Sequence, residues 1–136
     1  MGAAWEWRAV GGDKERRGRW PRAVQREGLR NVETVLGQGS SPNLPPHVLD
    51  AVLVVDAYPE VQVPDRVTFL KNLAVGLKPN GRIGIVNYKL GGGGPGPDDP
   101  GLRVPRASVE RDALAAGLKV RASGNLPYQY LLVLGR

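Results

Sequence analysis

The residues best suited to chemistry in this chain are acids and phenols placed where apolar runs end. In "VLDAVLVVDAYPE" the stretch Ala51 to Val55 reads as a strand buried on both faces, and it stops on Asp56, followed by Ala57 and Tyr58. Ligands of open α/β sheets bind beyond the carboxyl ends of the strands, so Asp56 stands where such a ligand would be faced. Asp98 and Asp99 could hold a cation, but adjacent acids beside proline and glycine read as solvated turn residues. Gly91, Gly93 and Gly96 satisfy G-x-G-x-x-G after the strand ending near Tyr88. That fingerprint needs a helix opening directly on the glycines to receive a pyrophosphate. Here "PDDPGLRVP" follows, with three prolines and two acids, so the glycines read as a flexible loop. The one histidine, His47, reads as a solvated loop residue, and there is no cysteine. Thiolate metal sites, disulfides and a cysteine nucleophile are therefore excluded, and a single histidine speaks against a histidine-based zinc site. The sequence also has no GK[ST] loop and no G-x-S-x-G.

The elements that must position these residues alternate between strand and helix. "NVETVLG" is a short strand, and "GQGSSPNLPPH" is loop by its glycine, serine and proline content. After the Ala51 to Val55 strand, Val67, Leu70, Leu73, Ala74 and Leu77 recur at helical spacing, opened by Pro64 and Asp65. "KPNG" ends that helix, since Pro79 cannot continue it and Asn80-Gly81 suits a tight turn. "RIGIVNY" is the next buried strand, and "PRASVERDALAAG" is a helix closed by Gly117 at its C-terminal cap. "KVRAS" and "QYLLVLG" are the last two strands. Strand and helix in alternation, with apolar strands, imply a mainly parallel sheet covered by helices. The final connection is too short for a parallel crossover, so the last strand should run antiparallel.

A length of 136 residues suits one core, and 41% hydrophobic with 24% charged residues is a globular composition. No window reaches the roughly 18 apolar residues of a membrane span. The start "MGAAWEWRAVGG" lacks the charged-then-apolar order of a signal peptide, so a cytoplasmic protein with no membrane partner is expected. The net charge of +6 is uneven: residues 1–30 hold eight cations against four acids, 8 − 4 = +4. All three tryptophans, Trp5, Trp7 and Trp20, lie there too. Residues 1–22 are therefore expected to be a basic, solvated, poorly ordered head, and residues 23–136 the α/β domain. Arginine and tryptophan could bind nucleic acid, but Glu6, Asp13 and Glu15 interrupt the basic run and speak against it.

The order of segments resembles a known family. "AVQREGLRNVETVLGQGSSPNLPPHVLDAVLVVDAYPEV", "FLKNLAVGLKPNGRIGIVNYK" and "LPYQYLLVLGR" are similar to the carboxyl-terminal two-thirds of a class I S-adenosylmethionine-dependent methyltransferase of the type 11/25-like kind. "LKPNGRIGIVNY" is the most specific piece. The resemblance covers roughly Ala23 to Arg136. It implies a Rossmann-like, mainly parallel sheet with an antiparallel C-terminal strand, S-adenosylmethionine as cofactor, and methyl transfer to an unknown acceptor.

Carried over by position, the resemblance implies cofactor contacts from Gly37, Gln38 and Ser40 on the adenine-side loop and from Asp56, Ala57 and Tyr58 after the following strand. Gln38 and Ser40 stand where the family has an acid, which weakens the adenine contact. Asn80 replaces the first glycine of the usual "PGG", and Pro59 stands where many members have histidine. No residue is assigned to catalysis. The family's first strand, its "D-x-G-x-G" turn and its ribose-binding acid have no match before Ala23, where "GGDKERRGRW" has neither pattern nor an apolar strand ahead of it. The chain thus reads as a truncated or divergent member with weak or no activity alone. A non-catalytic binding or subunit role is the alternative. Without the family's first strand, the Ala51 to Val55 strand has an open edge. Val32 to Leu36 is expected to cover it; the alternatives are "AWEWRAV" or self-association there.

Overall fold

The computed structural model describes residues 7–11, 20–36, 41–91 and 93–136, arranged in two compact units, Met1–Leu44 and Pro45–Arg136. In the first unit, strand β1 (Trp7–Gly11) and strand β2 (Val32–Leu36) pair in parallel, with helix α1 (Trp20–Arg26) between them in sequence. Two parallel neighbours need a crossover, and α1 is part of it. The strand in "WRAVG" corrects the expectation that no apolar strand precedes "GGDKERRGRW". Five residues with an arginine among them carry little intrinsic strand signal. The ladder to β2, Trp7 opposite Val32 through Gly11 opposite Leu36, supplies the order.

The second unit is a four-stranded sheet in the order β3-β4-β6-β5. Its strands are β3 (Leu49–Val55), β4 (Leu77–Tyr88), β5 (Lys119–Asn125) and β6 (Gln129–Gly135). β3 and β4 are parallel, joined through helix α2 (Arg66–Gly76). β6 runs antiparallel to both β4 and β5, as the short connection requires. Helix α3 (Arg106–Ala115) precedes β5. Gly117 follows it at φ +81°, while the Leu118 N–H returns to the Ala113 carbonyl at 2.8 Å, a glycine-closed helix end. The Asn80-Gly81 turn is absorbed into β4. Leu49 opposes Leu77 but Ala51 opposes Arg82, so the β4 residues from Lys78 to Gly81 stand against Asp50 alone and bulge from the ladder. A Cβ on Gly81 would lie 2.9 Å from Leu77 Cβ, and only glycine lets the chain fold back so closely.

Alternation along the strands selects one face as the core. Ile83, Ile85 and Asn87 of β4 are fully buried, as are Leu132 and Leu134 of β6, with Tyr130 nearly so. α2 and α3 touch each other and this sheet, adding Leu70, Leu73, Val109 and Ala113 to the core. Burying each such side chain contributes about 1.5–3 kcal/mol, enough to hold the helices on that face. The opposite face is more open. Leu53 is 62% and Val55 49% exposed. This overturns the reading of Ala51 to Val55 as buried on both faces, where only Val54 is buried. β3 pairs with β4 alone, and β2 pairs with β1, so the expected cover of the β3 edge by Val32 to Leu36 is not formed among the described residues. No described helix is long and apolar enough to cross a membrane.

Candidate functional site

The chain leaves β3 through an unusual residue. Asp56 has φ +54°, a left-handed conformation that aspartate tolerates better than most side chains. Its N–H donates to the Val86 carbonyl at 2.8 Å, which extends the parallel ladder by one rung. Its carboxylate, exposed at the carboxyl end of the strand, accepts from Gln129 Nε2 at 3.0 and 3.1 Å. Gln129 opens β6 and stands opposite Tyr88, the last residue of β4. The acid is thus aimed by a neutral amide.

The next residues turn the other way. Ala57 is exposed, and a short 3₁₀ turn, Tyr58–Glu60, carries Tyr58 into the core. The Tyr58 hydroxyl donates to Asp112 Oδ2 at 2.5 Å, and the Arg66 guanidinium lies 5.3 Å from the ring centre. Burial, reinforced by the hydrogen bond to the Asp112 carboxylate, holds this phenol well above its ordinary titration range. Arg66 also donates to the Val61 and Pro59 carbonyls at 3.0 and 3.2 Å. Tyr58 therefore fixes the turn from behind, and its hydroxyl is committed to α3.

The glycine-rich segment after β4 forms the facing wall. Gly91, Gly93 and Gly96 all have positive φ, and no α-helix opens on them before Arg106, so they make no phosphate cradle. Their use is close packing. A Cβ on Gly96 would lie 2.7 Å from Tyr88 Cδ1, and one on Gly94 would overlap the Tyr128 ring. Arg103 pins the segment, donating to the Pro97 and Lys89 carbonyls at 2.9 and 3.0 Å with its guanidinium over Tyr88. Asp99 accepts from the Gly101 N–H at 2.8 Å, a turn role, and Asp98 is exposed. His47 is exposed, its Nδ1 3.4 Å from the Leu77 carbonyl. Among the described residues no group of acids and histidines could hold a metal ion.

Between these walls lies a cleft of about 180 Å³, lined by Asp56, Pro59, Glu60, Tyr88, Pro97 and Leu102. It sits at the carboxyl ends of β3 and β4, where the sequence placed a ligand. Of the residues singled out for the cofactor, the structure brings Asp56 to the cleft, leaves Ala57 exposed beside it, and turns the Tyr58 side chain inward. Gly37, Gln38 and Ser40 lie outside the described residues. Gln129, Glu60, Tyr88 and Leu102 escaped the sequence reading. Only Tyr88, an aromatic closing an apolar strand, carried a signal that could have found it.

No protein-family model matches the sequence, and no curated protein is significantly similar to it. Solved structures are similar. A SAM-dependent methyltransferase from Aquifex aeolicus superposes with a TM-score of 0.85 at 21% identity, covering 95% of this chain and 68% of that one. An O-methyltransferase from neocarzinostatin biosynthesis, in complex with S-adenosyl-L-homocysteine and 1,4-dihydroxy-2-naphthoic acid, gives 0.77 at 14%, covering 96% and 42%. A mitomycin 7-O-methyltransferase gives 0.76 at 16%, covering 96% and 42%. The chain therefore has the fold of these methyltransferases over nearly all its length. It spans only about two-fifths of the two O-methyltransferases.

Proposed function

We propose that this chain is an S-adenosylmethionine-dependent methyltransferase domain that carries the methyl-transfer side of the site and binds the cofactor weakly by itself. The observation that carries the reading is the exposed Asp56 carboxylate, set in a left-handed turn at the carboxyl end of β3 and beside a cleft. That is where sheets of this kind bind ligands. The likeness to methyltransferase structures supports the reaction class.

The residues present suit the cofactor only in part. Asp56 and the exposed backbone around Ala57 offer acceptors, and Gly37, Gln38 and Ser40 would supply the adenine side. When bound, S-adenosylmethionine supplies an activated methyl group on its sulfonium. The sequence holds no D-x-G-x-G turn to grip its methionine and ribose. A lost charged hydrogen bond costs about 1.5–3 kcal/mol, and a lost backbone turn about as much again. A micromolar ligand weakened by roughly 4 kcal/mol binds in the millimolar range.

Titration calorimetry with S-adenosylmethionine and S-adenosylhomocysteine tests this. Dissociation constants in the millimolar range, weakened by Asp56→Ala and unchanged by Asp98→Ala, are expected. Saturable micromolar binding would overturn the weak-binding reading, and no binding in the millimolar range would overturn the cofactor assignment. The same proposal includes a cytoplasmic location and self-association of two copies through the edge of β3 that faces away from β4. Its exposed Leu53 and Val55, on a strand whose one paired neighbour among the described residues is β4, support the latter.

A further inference from the structure

We propose that the cleft beside Asp56 selects a small cationic ligand, a single ring bearing an ammonium group. Identifying that ligand with the methyl acceptor rests on the function proposed above; the preference for a cation does not. The cleft brings two carboxylates, Asp56 and Glu60, together with the apolar surfaces of Tyr88, Pro59, Pro97 and Leu102. They come from the turn after β3, the end of β4 and the glycine-rich segment, so the grouping is tertiary. Among the described residues neither carboxylate has an ion-pair partner. Asp56 receives the neutral Gln129 amide, which orients it without cancelling its charge.

Two guanidiniums stand near these walls, and both are committed elsewhere. Arg66 donates to the Val61 and Pro59 carbonyls and covers Tyr58. Arg103 donates to the Pro97 and Lys89 carbonyls and covers Tyr88. They shape the walls and leave the carboxylates to a ligand. An ammonium group would give each of the two lining acids a charged donor. An anion would meet two charges of its own sign. Size sets the rest of the ligand. An apolar cavity of about 150 Å³ holds one benzene ring, and this cleft of about 180 Å³ therefore suits one ring with a short polar arm. Proline, leucine and tyrosine surfaces receive the ring, and the acids fix its orientation.

Benzylamine, benzyl alcohol and benzoate, titrated in turn into the whole chain, separate charge from shape. The Gln129 side-chain amide and the Tyr88 ring are followed by NMR. Benzylamine should give saturable shifts at both, with benzyl alcohol at least about tenfold weaker and benzoate weaker still. Asp56→Asn should reduce benzylamine affinity by about tenfold, and since asparagine also tolerates positive φ the turn is kept. Glu60→Gln is the second variant, on a separate turn residue, and should reduce it severalfold. Equal binding of benzyl alcohol, tighter binding of benzoate, or no saturable benzylamine shift up to its solubility limit would overturn the proposal. So would unchanged affinity in both variants. S-adenosylmethionine titrated under the same conditions keeps the two readings apart. Amine selectivity without cofactor binding overturns the cofactor reading alone, and cofactor binding without amine selectivity overturns this one.

Discussion

The Tyr58 hydroxyl donates to Asp112 Oδ2 at 2.5 Å, tying the turn behind Asp56 to the body of α3. The ring is fully buried, and Asp112 is only half-buried. Removing either partner should therefore have unequal effects. Tyr58→Phe leaves an acceptor that water can reach and should cost about 1 kcal/mol. Asp112→Ala leaves a buried hydroxyl without its acceptor and should cost about 1–3 kcal/mol. Urea denaturation midpoints measure both. Midpoints equal to the unaltered chain would show that the bond contributes nothing to stability.

The same hydroxyl predicts an alkaline weakness. Burial and the Asp112 hydrogen bond raise the folded-state pKa of Tyr58, and burial raises that of Tyr130. Unfolded phenols lose their protons near pH 10 while these two hold theirs, so above about pH 10 the unfolded state binds fewer protons. Their contribution is fully present below that pH and is lost above it, by up to about 1.4 kcal/mol per pH unit for each group. Tyr58→Phe should flatten the fall between the unfolded and folded values. Identical pH slopes for the variant and the unaltered chain would count against a raised pKa.

Gly96 and Gly93 should respond differently to alanine. At Gly96, φ is +122° and a Cβ would press on Tyr88, so Gly96→Ala should displace the segment from the ring. At Gly93, φ is +58° and nothing lies within 4 Å of the Cβ position, so Gly93→Ala should cost only the backbone strain of about 1–2 kcal/mol. Faster proteolysis within the segment and a changed Tyr88 ring signal should appear for Gly96→Ala. Equal behaviour of the two variants would show that the contact with Tyr88 does not hold the loop.

The edge of β3 that faces away from β4 gives a prediction for association. Leu53 is 62% exposed on a strand paired along one edge only among the described residues. A lysine there opposes edge-to-edge pairing. Leu53→Lys should lower the weight-average mass seen by sedimentation velocity at high concentration, with little change in thermal stability. An unchanged mass distribution would place any association elsewhere.

Much of the second unit was legible from local pattern. The β-branched run before Asp56, the helical spacing of Leu70 and Leu73, Gly117 closing α3 and the short link before β6 are each written in neighbouring residues. Such features depend on propensity and chain geometry, which act over a few positions. They sufficed to set the alternation of elements, the antiparallel last strand and Asp56 at a strand end.

The tertiary structure decided what those elements meet. Gln129 reaches Asp56 across 73 positions, and no local signal marks an amide as the partner of that acid. Tyr58, two residues after Asp56, turned inward because a 3₁₀ turn and a waiting carboxylate on α3 settle its direction. Trp7–Gly11 became a strand because β2 offered it a parallel edge. Leu53 and Val55 are as apolar as Val54, yet they are exposed, since burial depends on which layer covers a face. The sequence by itself determined the elements and the place of the acid. Pairing between distant segments, which exists only once the chain has folded, decided the acid's partner and its cleft.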